Sequence, residues 1–170
     1  MLTHPATRLH QIAYVTNDLE RAKSLFAEQY GVGRFFMLCD PPPDNIPPGI
    51  PPLRVALANL GEIELELIQP LGRELPVFAD ALPQDKSFAI RFHHICFRIA
   101  GDLADWNAHR ASIDESQHPV VFHGALADDL RFLYTDERSR LGHYVEHIWM
   151  SPQVMQQMAK DVPSFPKPVA

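Results

Sequence analysis

Four polar residues stand in runs that otherwise have the composition of β-strands. Gln11 opens one such run (QIAYV) and His94 opens another (HICFRI). Glu66 lies within IELELIQ and Glu146 within HYVEHIW. The interval from Gln11 to His94 is nearly the same as that from Glu66 to Glu146, so the second pair repeats the first along the chain. A carboxylate in a strand interior is costly unless it is paired or coordinated. An amide oxygen, an imidazole and two carboxylates form an N/O donor set suited to a divalent cation such as zinc, nickel, cobalt or manganese. Such a cation supplies Lewis-acid chemistry, polarising a carbonyl so that the neighbouring C–H becomes acidic.

Blander readings exist for each residue. Strand period is two, so Glu62, Glu64 and Glu66 share a face that could be solvated. A single His at a strand start is more often structural than catalytic, and the His93-His94 pair leaves the register open by one residue. The recurrence in both halves is what favours a site. His147 adjoins Glu146 and should leave the opposite face, and His143 is an odd number of places away. Neither is expected as a ligand. His123 ends a strand, and Arg34, Arg131 and Tyr134 suit an anionic substrate no better than surface or ladder roles. Phe35, Phe36, Phe97 and Trp149 read as core, and Cys96 as a small buried hydrophobe.

The elements that must position these residues occur twice. A short apolar run (Ile12, Tyr14, Val15; Ile95, Phe97, Ile99) is followed by Asp-Leu and a helical pattern. Asp18 or Asn17, and Asp102, are the expected N-caps. Leu19, Ala22, Leu25 and Phe26 recur at helical spacing, and Gly31 and Gly33 end that helix. Strands are expected at Arg34–Leu38, Leu53–Ala58 and Ile63–Gln69, with a turn at 59–62. In the second half they are expected at Val120–His123, Arg131–Thr135 and Tyr144–Ile148. The fold class is therefore α+β, built of tandem β-α-β-β-β modules whose curved, partly open, barrel-like sheet surrounds a cleft. The first module covers 1–70, a connector 71–91, the second module 92–150, and a C-terminal helix and tail 151–170. Seven of the 16 prolines crowd into 39–53, which reads as a lid or an irregular insertion.

At 170 residues with 46% hydrophobic content, the chain can bury a sizeable core without disulfides. Its net charge of −6 and lack of basic blocks argue against nucleic acid. No apolar run is long enough for a membrane span, and two distant cysteines fit a cytoplasmic setting.

The repeat, HQIAYVTNDLERA, HHICFRI, ELIQPLG and the closing YVEHI together resemble the vicinal oxygen chelate superfamily of glyoxalases, bleomycin-resistance proteins and extradiol dioxygenases. The similarity spans Leu9 to about Ile148, and its flavour is closest to methylmalonyl-CoA epimerases and glyoxalase I. The resemblance places the metal ligands at Gln11, Glu66, His94 and Glu146. It makes Glu146 the leading catalytic base, with Glu66 as the second. Gln at the first position departs from the His usual in epimerases and resembles the zinc-type ligand set of eukaryotic glyoxalase I. The implied function is a metal-dependent lyase or isomerase acting on a small carbonyl or thioester substrate by α-proton transfer. The alternative is a metal-free binding or resistance-type protein of the same fold, and the third an extradiol-type oxygenase. No CoA or glutathione recognition set is apparent. A homodimer is the expected assembly, since two-fold dimers predominate.

Overall fold

The computed structural model describes residues 7–38 and 52–166. The proline-rich segment, apart from Pro52 and Leu53, lies outside the described residues, as does any lid it forms. The chain divides into two compact units. One comprises 11–93 with the segment from 160 onward, and the other comprises 94–159 with the residues up to 10.

In the unit formed by 11–93, the elements are β1 (Thr7–Thr16), α1 (Leu19–Tyr30), β2 (Phe36–Leu38), β3 (Leu53–Leu60) and β4 (Ile63–Pro70). The strand order is β2-β3-β4-β1, with β1 and β4 parallel and β3 and β4 antiparallel. Asp18 caps α1, accepting from the Arg21 N–H at 3.0 Å. Asn17 does not cap: its amide donates to the Ser87 carbonyl at 2.7 Å and its oxygen accepts from the Ala89 N–H, so it ties down the connector. Gly31 ends the helix at φ 72°, a left-handed conformation that favours glycine. Leu19, Ala22 and Phe26 of α1 pack against Ala56, Ala58, Leu65 and Leu67 of the sheet. The connector contains a helical turn, α2 (Pro76–Ala79).

The unit formed by 94–159 repeats the pattern with β5 (Ile90–Ile99), α3 (Leu103–Ser112), β6 (Val120–Leu126), β7 (Leu130–Asp136) and β8 (Tyr144–Met150). Here the order is β5-β8-β7-β6. A short helix α4 (Arg138–Leu141) precedes β8, and α5 (Pro152–Asp161) follows it. Asp102 and Asp105 form a reciprocal capping box on α3. Trp106 and Ile113 pack with Ile99, Leu133 and Trp149 in the core beneath the helix. A last short strand, β9 (Ser164–Phe165), pairs with β3.

The tandem β-α-β-β-β order and the α+β class agree with the sequence reading. Differences lie at the ends of elements. Arg34 and Phe35 precede β2, which starts only at Phe36. The hairpin between β3 and β4 turns on Gly61 and Glu62 alone, because Leu60 already pairs with Ile63 and Gly61 takes φ 66°. The strand β6 extends to Leu126 because its partner β7 continues to Leu130. Among the described residues, no helix is long and apolar enough to cross a membrane.

Candidate functional site

In the unit of 94–159, register decides which side chains meet. The parallel pairing of β5 with β8 sets Cys96 opposite Glu146 and His94 opposite Tyr144. Antiparallel pairing sets Tyr134 of β7 opposite Glu146, and Phe122 of β6 opposite Tyr134. Paired residues share a sheet face, so His94, Cys96, Arg98, Glu146, Tyr134 and Phe122 all rise on one side. His94 is 0% exposed and Glu146 6%. The His94 Nε2 stands 3.2 Å from a Glu146 carboxylate oxygen. The Tyr134 ring meets the His94 imidazole edge-on, with centroids 4.9 Å apart. It fixes the imidazole plane by packing.

The other side of the same strands carries the helix. His147 Nδ1 lies 2.9 Å from His109 Nε2 of α3, and Phe97 stacks on the His147 ring. Burial, then the charge of neighbouring histidines, pushes the His147 pKa down to about 3, so that it is neutral at physiological pH. Trp149 also belongs to this helix-side core, its indole N–H donating to the Gly101 carbonyl.

In the unit of 11–93, Gln11 pairs with Glu64 and Ala13 with Glu66 along β1 and β4. Gln11, Glu64 and Glu66 therefore share the sheet face that does not pack on α1. That face is not solvated, which corrects one expectation from the strand's period. Glu64 is only 6% and Gln11 only 4% exposed, and Ala13, Leu57 and Ile68 on the same side are buried as well. Glu66 is half-buried. The structure thus brings His94 and Glu146 together within one unit, and sets Gln11 and Glu66 on one face of the other, one pairing step apart.

Several residues weighed in the sequence lie elsewhere. Arg34 and His123 are exposed. His143 Nδ1 faces the Tyr144 carbonyl at 2.7 Å. Arg131 donates to the carbonyls of Ala127 and Leu130 and pairs with Asp128, which holds the β6–β7 turn. Cys96 is fully buried.

Two residues of these faces escaped the sequence reading. Glu64 was one of three carboxylates in a run, and only the pairing with Gln11 singles it out. Arg98 continues the parity of His94 and Cys96, a signal present in HHICFRI. Its side chain is half-buried, and its Nε is buried without a hydrogen-bond partner among the described residues. His10 shares its surroundings: burial, and secondarily the Arg98 charge, lower the His10 pKa against an opposing pull from Glu146.

The Glyoxalase/Bleomycin resistance protein/Dioxygenase superfamily profile matches residues 10–134, most of the chain. The chain belongs to that superfamily. Methylmalonyl-CoA epimerase from Mycobacterium tuberculosis superposes with a TM-score of 0.61 at 16% identity, covering 92% of this chain and 97% of that one. The Streptomyces coelicolor epimerase in complex with 2-nitronate-propionyl-CoA gives 0.61 at 18% identity, covering 86% and 96%. A hypothetical protein from Bacillus halodurans also gives 0.61 at 16%, covering 87% and 97%. Identities this low establish the shared fold. No curated protein sequence gives a significant match.

Proposed function

We propose that the protein is a metal-dependent lyase or isomerase in which Gln11, Glu66, His94 and Glu146 hold one divalent cation. Each β-α-β-β-β module contributes one neutral ligand and one carboxylate. The observation that carries this reading is the buried approach of His94 Nε2 to the Glu146 carboxylate at 3.2 Å. An imidazole and a carboxylate this close, shielded from water and aligned by cross-strand pairing, form half of a tetradentate N/O site. The donor set fits zinc, nickel, cobalt or manganese. When bound, the cation supplies Lewis-acid polarisation of a carbonyl.

The chain's own groups do the rest. The imidazole of His94 is held side-on by Tyr134, so that its Nε2 keeps one direction. Glu146 takes the α-proton on its carboxylate, and Glu66 is the second base. Delivery of a proton to the opposite side of the same carbon gives epimerisation. Delivery to the neighbouring carbon gives a glyoxalase-type isomerisation. The epimerase fold of the structural relatives supports this class of chemistry, and acyl-CoA thioesters and 2-oxoaldehyde adducts are the substrates to assay first.

Elemental analysis tests the proposal, using protein purified without chelator or metal-affinity resin beside an E66A/E146A double variant. Near-stoichiometric metal in the parent and its loss in the variant are expected. A parent that stays metal-free after reconstitution overturns the reading and leaves a ligand-binding protein of the same fold.

A further inference from the structure

Arg98 lies on the sheet face of β5 and β8 that carries His94 and Glu146, and among the described residues no carboxylate forms a salt bridge with it. It makes no hydrogen bond or ion pair among the described residues, and its Nε is buried. An arginine that merely lays its stem across apolar surface keeps its head in water. Here one donor of the fork is withdrawn from water and from the protein alike, which costs free energy unless a ligand repays it. His10 lies within electrostatic reach of both Arg98 and Glu146, and towards β7 and β6 the neighbours of Arg98 are apolar or aromatic. Ile148 pairs with Arg98 on one side and with Phe132 on the other. Phe132, Phe122 and Tyr134 contact one another with centroids 5.5–6.1 Å apart. Along β5, Arg98 stands one same-face step beyond Cys96, the residue opposite Glu146, or about 7 Å along the strand. A short molecule can span that distance.

We propose that Arg98 binds the carboxylate of the substrate, and that the site acts on an oxo acid whose remaining part is apolar and packs against Phe122 and Phe132. The inference rests on the functional reading above, from which it takes the position of the reacting carbonyl near His94 and Glu146. A guanidinium fork matches a carboxylate in two parallel hydrogen bonds, and an apolar frame strengthens the pair. The ester of the same acid offers no charge to the fork. A pocket for neutral carbonyl compounds has no use for an arginine whose Nε is withdrawn from water without a partner among the described residues.

The test is calorimetric binding of phenylpyruvate and of its methyl ester to the full chain, with and without added zinc. The parent, R98Q and R98K are compared, and metal content is measured in each sample. The parent is expected to prefer the acid about tenfold or more, R98Q to lose that preference, and R98K to keep part of it. Unchanged metal content in R98Q places the effect on Arg98 and not on the ligand set. Equal binding of acid and ester by the parent, binding of neither, or a preference that persists in R98Q overturns the proposal. Should R98Q fail to fold, the Arg98 Nε–H resonance of the parent decides: it shifts on titration with the acid and not with the ester. An Arg98-dependent preference in a chain that binds no metal sinks the metal reading alone.

Discussion

Glu146 and His147 are consecutive residues of β8 whose side chains leave opposite faces of the same sheet. Glu146 reaches His94 at 3.2 Å on one face, while His147 reaches His109 at 2.9 Å under α3 on the other. The strand thereby joins a candidate ligand to the core without a flexible joint between them. Disturbing the helix-side pair therefore loads the strand that carries Glu146.

The histidine pair has a consequence for stability. His147 is held neutral, with its pKa lowered to about 3, whereas an unfolded chain protonates it near the ordinary 6.5. Below about pH 6.5 the unfolded state binds a proton that the native state refuses, so this residue makes stability fall as pH falls from there towards 3. Above that window it contributes no slope. Urea denaturation at pH 7.5 and pH 5 should show a lower midpoint at the acidic pH. The His147 ring carbons should keep neutral-imidazole chemical shifts in the folded protein at both. A charged His147 at pH 5 in the native state would refute the account.

Ligand binding predicts a thermal shift. A cation at about a hundredfold excess over its dissociation constant stabilises the native state by about 2.7 kcal/mol. For a chain of this length that is roughly 5–10 °C in melting temperature. Adding EDTA to metal-loaded protein should remove the increment, and E66A/E146A should melt at the same temperature with or without metal. A parent whose melting temperature ignores EDTA has no such site.

Glu64 and Glu66 can be told apart experimentally. They share a face of β4, yet the proposed ligand set takes only Glu66, the counterpart of Glu146 in the twofold repeat, with Glu64 facing Gln11 across the strand pair. E66Q should lower metal affinity at least tenfold, whereas E64Q should retain stoichiometric metal and alter melting temperature instead. The opposite ranking would move the ligand one pairing step along β4.

Much of this arrangement was legible before any coordinates. The repeated apolar run, Asp-Leu step and helical periodicity located β1–α1 and β5–α3, because caps and amphipathic spacing are local signals. The parity of Glu146 and His147 likewise gave their opposite faces. What the chain could not disclose is cross-strand register. Glu64 and Glu66 are equivalent in sequence, and only the pairing of β1 with β4 puts one opposite Gln11 and the other opposite Ala13. Burial of that face also depends on residues far apart in the chain. Asn17 and Asp18 were both plausible caps, and the choice fell to Asp18 because the connector at Ser87 and Ala89 engages Asn17. Arg98 was overlooked because a charged residue near a strand end ordinarily means a solvated one.

The capping box on α3 is a local feature whose removal should be felt at a predictable scale. Asp102 accepts from the N–H groups of Ala104 and Asp105, and Asp105 reaches back to the Asp102 N–H at 2.9 Å. D102A leaves these donors to water and should cost about 1 kcal/mol, or roughly 2–4 °C. Because α3 packs Trp106 and His109 against the sheet, the loss should raise hydrogen exchange across that helix before it reaches β8. Thermal melts and native-state exchange measure both, and an unchanged melting temperature would show that the box adds nothing.

The catalytic assignment separates most cleanly at Glu146, where ligation and proton transfer can be read independently. An amide oxygen can still coordinate a cation, but it cannot accept a proton at neutral pH. E146Q should therefore retain a large part of its metal while losing general-base function, which is worth about a hundred- to ten-thousandfold in rate. The assay is exchange of the substrate α-proton with D2O, followed by NMR, on whichever acyl-CoA thioester or 2-oxo compound the parent turns over. E66Q, compared in parallel at a metal concentration that saturates it, separates a one-base route from a two-base route. If Glu66 is the second base, its loss blocks product formation while Glu146 still exchanges the α-proton of the starting material. Full exchange activity in metal-loaded E146Q would remove Glu146 from the role of base and leave it a ligand only.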